Sequence, residues 1–145
     1  MKVLFVCHGN INRSAAGEII LKQMKPDWEI KSAALKETKG GEITAKKMRE
    51  ALKEKGYPTD GIRSTAISDE LVEWADVIFY MDDSNEKKLY TRFQTKASVK
   101  AIRLSNLIGE KKIPDPNFSK TNELHKTVID MIIKALNEYI NGLSS

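Results

Sequence analysis

One cysteine in 145 residues excludes an internal disulfide, and two histidines without a Cys/His cluster leave no ligand set at the spacing of a metal site. The apolar runs are short, none approaching the ~20 residues of a membrane-spanning helix. Met1-Lys2 leads straight into a β-prone run, with none of the regions of a secretion signal. A cytoplasmic location is therefore expected, and a reducing compartment suits a free thiol. Aromatic residues are only 7% of the chain, so the excess of 24 basic over 20 acidic residues lacks the basic-aromatic blocks of a nucleic-acid surface. The net charge of +4 is read as lysines on solvated helix faces, mildly attractive to an anionic substrate, with neither nucleic acid nor membrane as partner. The length suits a single domain, 1–145, with a real core.

What the chain does have is concentrated in residues 3–14. Val3-Leu4-Phe5-Val6 is an unbroken β-prone run, the pattern of a strand covered on both faces in a parallel sheet. Cys7 falls at its carboxyl end, the edge at which open α/β sheets place their ligands. From Ser14 onward Ala15, Ala16, Ile19, Ile20 and Met24 recur at helical spacing, so His8, Gly9, Asn10, Ile11, Asn12 and Arg13 must turn between strand and helix. Such a loop aims backbone N–H groups and a positive helix end at whatever occupies its centre. Gly9 permits close approach or a positive φ, and Asn10 tolerates a left-handed conformation. Arg13, six positions after Cys7, carries a planar fork that can hold two oxygens of a tetrahedral oxyanion. The same surroundings, with the Ser14 hydroxyl, stabilise negative charge on sulfur and make Cys7 a candidate nucleophile. A small buried apolar cysteine is the plainer reading, but it leaves the run of Gly, two Asn, Arg and Ser unexplained. His8 is read as an exposed tuning residue at the rim.

Further along, residues 14–25 form a helix that stops before Pro26, and residues 28–31 alternate as a half-buried strand that ends at Ser32, read as a turn serine. Ile43, Met48, Ala51 and Leu52 mark a helix ended by Gly56 and Pro58. Residues 57–66 are irregular, with Arg63 and Ser64 either at the outer edge of the site or simply exposed. Ser68 caps a short helix reaching Trp74. Residues 76–81 are a third apolar strand, and Asp82, on the same sheet edge as Cys7, is also a natural N-cap for the helix through Leu89. A fourth strand lies within 97–104. Pro114 and Pro116 then bracket Asp115 and fix the backbone around it, a sensible way to hold a general acid over a leaving oxygen. The stripe Leu124, Val128, Met131, Ile132, Ala135, Leu136 and Tyr139 belongs to a long final helix, on which His125 is structural. The sum is an α/β, doubly wound domain with a four-stranded parallel sheet and helices on both faces.

Read as C-x-G-N-I-x-R-S, residues 7–14 resemble the signature of the low-molecular-weight protein tyrosine phosphatases. Ser32-Ala33-Ala34, Met81-Asp82-x-x-Asn85 and Asp115-Pro116 match the family in order, so the resemblance spans nearly the whole chain. It implies strand order 2-1-3-4 and hydrolysis of a phosphorylated protein or small aryl phosphate, releasing inorganic phosphate without metal or cofactor. It also implies Cys7 as nucleophile, Arg13 as phosphate clamp and Asp115 as general acid and base. His8, Gly9, Asn10, Ile11, Asn12, Ser14 and Phe118 would contact phosphate or substrate, while Ser32 and Asp82 would support the loop. Ile11 points to phosphotyrosine, since relatives acting on phosphoarginine resemble this motif but carry threonine there. The chain departs from the family at four places. Asn12 stands where a second, protective cysteine is common, and Ile62 stands where a histidine is usual. Asn117-Phe118 replaces a tyrosine pair, and no aromatic wall residue lies between Leu35 and Tyr57. Two rivals stay open: an arsenate reductase relying on an external thiol, and a non-catalytic phosphate-binding module.

Overall fold

The computed structural model describes residues 1–144. Four strands, β1 (Lys2–Cys7), β2 (Glu29–Ala34), β3 (Val77–Tyr80) and β4 (Ala101–Arg103), form one parallel sheet in the order β2-β1-β3-β4. That is the α/β architecture and strand order expected from the sequence. Because every strand runs the same way, the ends of all four meet at one edge, and Cys7 pairs there with Ala34.

Six α-helices complete the described chain: α1 (Arg13–Met24), α2 (Lys46–Glu54), α3 (Asp69–Trp74), α4 (Asp83–Phe93), α5 (Thr95–Ser98) and α6 (Glu123–Leu143). Alternation along β1 divides the core. Val3, Phe5 and Cys7 face one layer with Ile19 and Ile20 of α1, Met48 and Leu52 of α2, and Val128, Ile132 and Leu136 of α6. Leu4 and Val6 face the other layer, with Val72 of α3, Leu89 and Phe93 of α4 and Ala97 of α5. Val3 through Val6 are wholly buried, as a strand covered on both faces must be.

One glycine sets the distance between β1 and α1. A Cβ at Gly17 would stand 2.6 Å from the Phe5 ring, so only glycine lets the helix lie this close to the strand that precedes it. The loop joining them is thereby held in a narrow span.

Several boundaries differ from the sequence expectation. The second strand continues through Ser32 to Ala34, with Ser32 paired to Phe5 and buried rather than in a surface turn. The second helix starts at Lys46, because Ile43 instead bridges to Arg63 and is 48% exposed. Gln94, at φ 51°, ends α4 and opens the short α5, which takes the first residues of the predicted fourth strand. A 3₁₀ turn, Leu104–Ile108, follows β4. His125 is buried on α6, and burial together with the Lys47 charge lowers its pKa.

Candidate active site

The loop leaving β1 is built on Asn10. This residue is 1% exposed and sits at φ 57°, so Asn10, not Gly9, takes the left-handed position. Its side-chain amide fixes three neighbours: Nδ2 donates to Ser14 Oγ at 2.8 Å and to Ser32 Oγ at 2.8 Å, and Oδ1 accepts from the Thr65 N–H at 2.9 Å. Ser32, having accepted, donates to Glu18 Oε1 at 2.5 Å, and the other Glu18 oxygen accepts from Lys22 Nζ at 2.5 Å. Ser14, having accepted, has its own hydrogen free for Cys7 Sγ, 2.9 Å away. The Ser14 N–H lies 3.5 Å from the same sulfur. Two donors therefore face Sγ, oriented by a chain of bonds that ends on a buried carboxylate.

No side chain caps α1 at Asn12, which leaves first-turn N–H groups available to an anion. Arg13, 3% exposed, comes from that first turn. Its Nη1 donates to Asp82 Oδ2 at 2.8 Å and to the Ile113 carbonyl at 2.9 Å, and its Nη2 lies 3.7 Å from Asp115 Oδ2. Asp82 serves both ends it was read for, since its Oδ1 accepts from the Asn85 N–H and caps α4. Burial pushes its pKa up, yet the hydrogen bonds from Arg13 and Asn85 and the Arg13 and Arg103 charges prevail and hold it below the ordinary value.

Asp115 hangs from a segment tied to the sheet by the Ile113 N–H, which donates to the Met81 carbonyl at 2.9 Å. Its Oδ1 accepts from the Asn117 N–H at 3.0 Å, leaving Oδ2 turned toward Arg13. A cavity of about 60 Å³ lies between the loop and this segment, lined by Cys7, His8, Gly9, Ile11, Asn12 and Arg13, with Lys36, Asp115 and Asn117 opposite. That is room for a few water-sized groups, as the oxygens of a tetrahedral anion are.

Not every expected residue meets this cavity. Asn10, Ser14, Ser32 and Asp82 stand behind the loop and shape it, and Phe118 is 93% exposed while Asn117 supplies the lining. Ser64 is buried, accepting from the Glu42 N–H at 2.9 Å, and neither it nor Arg63 reaches the cavity. Ile62 packs against the core, and the loop's bonds to Asn10 are completed by the Thr65 backbone instead of a histidine. His8 is exposed, with Nδ1 3.0 Å from Lys88 Nζ. Burial and the Lys88, Lys36 and Arg13 charges lower its pKa against the pull of Asp115, which favours the neutral ring, whose unprotonated Nδ1 can accept from Lys88.

Two contributors are absent from the sequence reading. Glu18 is 8% exposed and pairs with Lys22 four residues on, and nothing in the helical pattern announces its burial. Lys36 is carried to the cavity by an extension of strand pairing, its N–H donating to the His8 carbonyl at 3.0 Å. Only knowledge of the register would have found it.

A doubly wound sheet with a Cys-x5-Arg loop at its carboxyl edge, closed by aspartates from two other segments, defines a low-molecular-weight phosphatase scaffold. The sequence profile of the "Low molecular weight phosphotyrosine protein phosphatase" family matches residues 2–145, and the chain belongs to that family. A low molecular weight protein-tyrosine-phosphatase, Ptp of Acinetobacter johnsonii, is 32% identical over 133 residues, covering 88% of this chain and 92% of that one. Among solved structures, a protein tyrosine phosphatase from Entamoeba histolytica with Hepes in its active site superposes with a TM-score of 0.90 at 29% identity, covering 99% and 97% of the two chains. The YwlE arginine phosphatase from Geobacillus stearothermophilus reaches a TM-score of 0.88 at 25% identity, covering 99% and 92%.

Proposed function

We propose that this protein hydrolyses phosphomonoesters, protein phosphotyrosine above all, through a phosphate transiently bonded to Cys7. The observation that carries the reading is the Sγ atom in the lining of a small cavity, faced by the Ser14 hydroxyl at 2.9 Å and shared with Arg13 and Asp115. Sulfur attacks phosphorus in line, and the phosphoester bond breaks as the S–P bond forms. Arg13 and the N–H groups of residues 8–13 hold the equatorial oxygens, where charge spreads in the transition state. Asp115 gives its proton to the leaving phenolic oxygen and becomes the carboxylate that takes a proton from water. The resulting hydroxide attacks phosphorus, inorganic phosphate leaves, and Ser14 donates to the thiolate that departs. A thiol catalyst with Asn12 in place of a second cysteine suits a reducing compartment such as the cytoplasm.

Phosphoarginine is the second substrate to weigh, because a solved arginine phosphatase shares the fold. Ile11 in the cavity lining favours an aromatic leaving group, since its branched apolar side chain offers no partner to a guanidinium.

The test is turnover of an aryl phosphate with acid-quench trapping of phosphate on Cys7. Wild type is expected to turn over and trap phosphate, and C7S to do neither while still binding oxyanions. D115A is expected to lose about 100-fold or more in kcat, most for poor leaving groups. An unchanged rate in D115A removes Asp115 from the chemistry, and faster turnover of phosphoarginine than phosphotyrosine reverses the substrate assignment.

A further inference from the structure

The mouth of the Cys7 cavity holds more positive charge than a phosphate clamp requires. Lys36 lines the cavity, its Nζ 3.8 Å from where a Cβ on Gly9 would stand. Lys88, from α4, reaches His8 Nδ1 at 3.0 Å on the other side of the same loop. The segments bearing the two lysines follow β2 and β3, respectively, the two strands paired with β1, so they flank the β1 loop from its two neighbouring strands. Strands two places apart stand about 10 Å from one another. Among the described residues neither lysine is ion-paired with a carboxylate, whereas Lys22, Lys55, Lys96, Lys126 and Arg103 all are.

The same charges bear on His8, whose pKa is lowered first by burial and then by Lys88, Lys36 and Arg13, against the pull of Asp115. Apolar recognition is thin by contrast. No aromatic residue occurs between Leu35 and Tyr57, and Phe118 projects into solvent. Beyond Ile11, which faces the leaving group, the rim offers charge rather than apolar surface to the rest of the substrate.

We propose that Lys36 and Lys88 form a subsite for carboxylates on either side of the phosphorylated residue, so that the preferred substrate is an acidic phosphopeptide. The proposal rests on the phosphatase reading above and names the substrate that reading leaves open. A peptide fits better than a small bis-anion for a geometric reason. The cavity of about 60 Å³ takes little beyond the phosphoryl group, so the rest of the substrate lies across the edge of the sheet. An extended chain advances about 3.3 Å per residue, which sets acidic side chains one or two positions to each side of the phosphotyrosine over the two flanks.

The experiment compares kcat/KM for three phosphotyrosine peptides whose flanking positions are all Glu, all Gln or all Lys. Wild type, the K36Q/K88Q double variant and K134Q, a change on the exposed part of α6 outside the cavity lining, are assayed in parallel. Wild type is also assayed on p-nitrophenyl phosphate. At about 20 mM salt the Glu peptide is expected to exceed the Gln peptide roughly fivefold to tenfold, and the gap to close to about twofold near 300 mM. The double variant should bring the low-salt ratio to within about twofold, and K134Q should keep the wild-type ratio. Equal rates on Glu and Gln peptides, with p-nitrophenyl phosphate hydrolysed, overturn the subsite and leave the phosphatase reading standing. A preference that survives in the double variant overturns the assignment to these lysines. Failure to hydrolyse p-nitrophenyl phosphate overturns the phosphatase reading and the subsite with it.

Discussion

Ser14 serves two partners through one hydroxyl, accepting from Asn10 and donating toward Cys7 Sγ. Replacing it with alanine removes the donor from sulfur and leaves one Asn10 hydrogen without its acceptor. S14A is therefore expected to lower kcat by about 100-fold, the lower end of the range found for single donors at developing charge, and to cost about 1–3 kcal/mol of stability. Steady-state kinetics and denaturant unfolding on the same preparation check both figures. Asp82 gives a second prediction with a pH signature. Its pKa is held below the ordinary 3.8, so its ionised form contributes stability that is fully present above that value and is lost as pH falls through the depressed folded value. D82N keeps an acceptor for the Asn85 N–H but strips the charge beside buried Arg13. It should therefore be less stable than wild type at neutral pH, and the difference should shrink below about pH 4. Unfolding midpoints measured from pH 3 to 7 decide this, and a constant difference refutes it.

Among the elements, the contact of α1 with β1 is the most constrained. Gly17 lies in the middle of a helix, where alanine would ordinarily be the better residue by about 1 kcal/mol. Here a methyl group would meet the Phe5 ring at 2.6 Å, so G17A is expected to destabilise by about 1–3 kcal/mol despite the gain in propensity. Thermal unfolding tests it, and a raised Tm would show that helix and strand can separate without loss. The sequence made these two elements readable because β1 is a continuous apolar run and α1 keeps its period. The Asp82 and Ser68 caps were readable for the same local reason, and both side chains accept the expected N–H. Elements set by distant pairing were not. The extension of β2 through Ser32, the bridge of Ile43 to Arg63 and the delivery of Lys36 to His8 depend on register, which no window of neighbouring residues contains.

At the scale of the whole molecule, the candidate site joins four separate stretches: residues 7–14, Ser32 with Lys36, Asp82 and Asp115. The loop and Asp115 could be named from residue type and spacing, whereas Asp82 reads locally as a helix cap and its part in the site comes from the family resemblance. Glu18 could not be named, because its burial follows from α1 packing on β2, which the helical pattern does not announce. The molecule also has only one sulfhydryl. Peroxide is expected to carry Cys7 past the sulfenic state to irreversible acids when no thiol is added, since no second cysteine can capture it. Mass spectrometry should find these acids without any internal disulfide, and activity lost this way should not return with dithiothreitol. Full recovery after such treatment refutes the expectation. The two packed layers fix the sulfur and its donors, whereas Lys36 and Asn117 sit on connecting segments outside the helices and strands that hold those layers together. Chimeras that graft another relative's rim onto this chassis should thus acquire the donor's selectivity while melting like the parent.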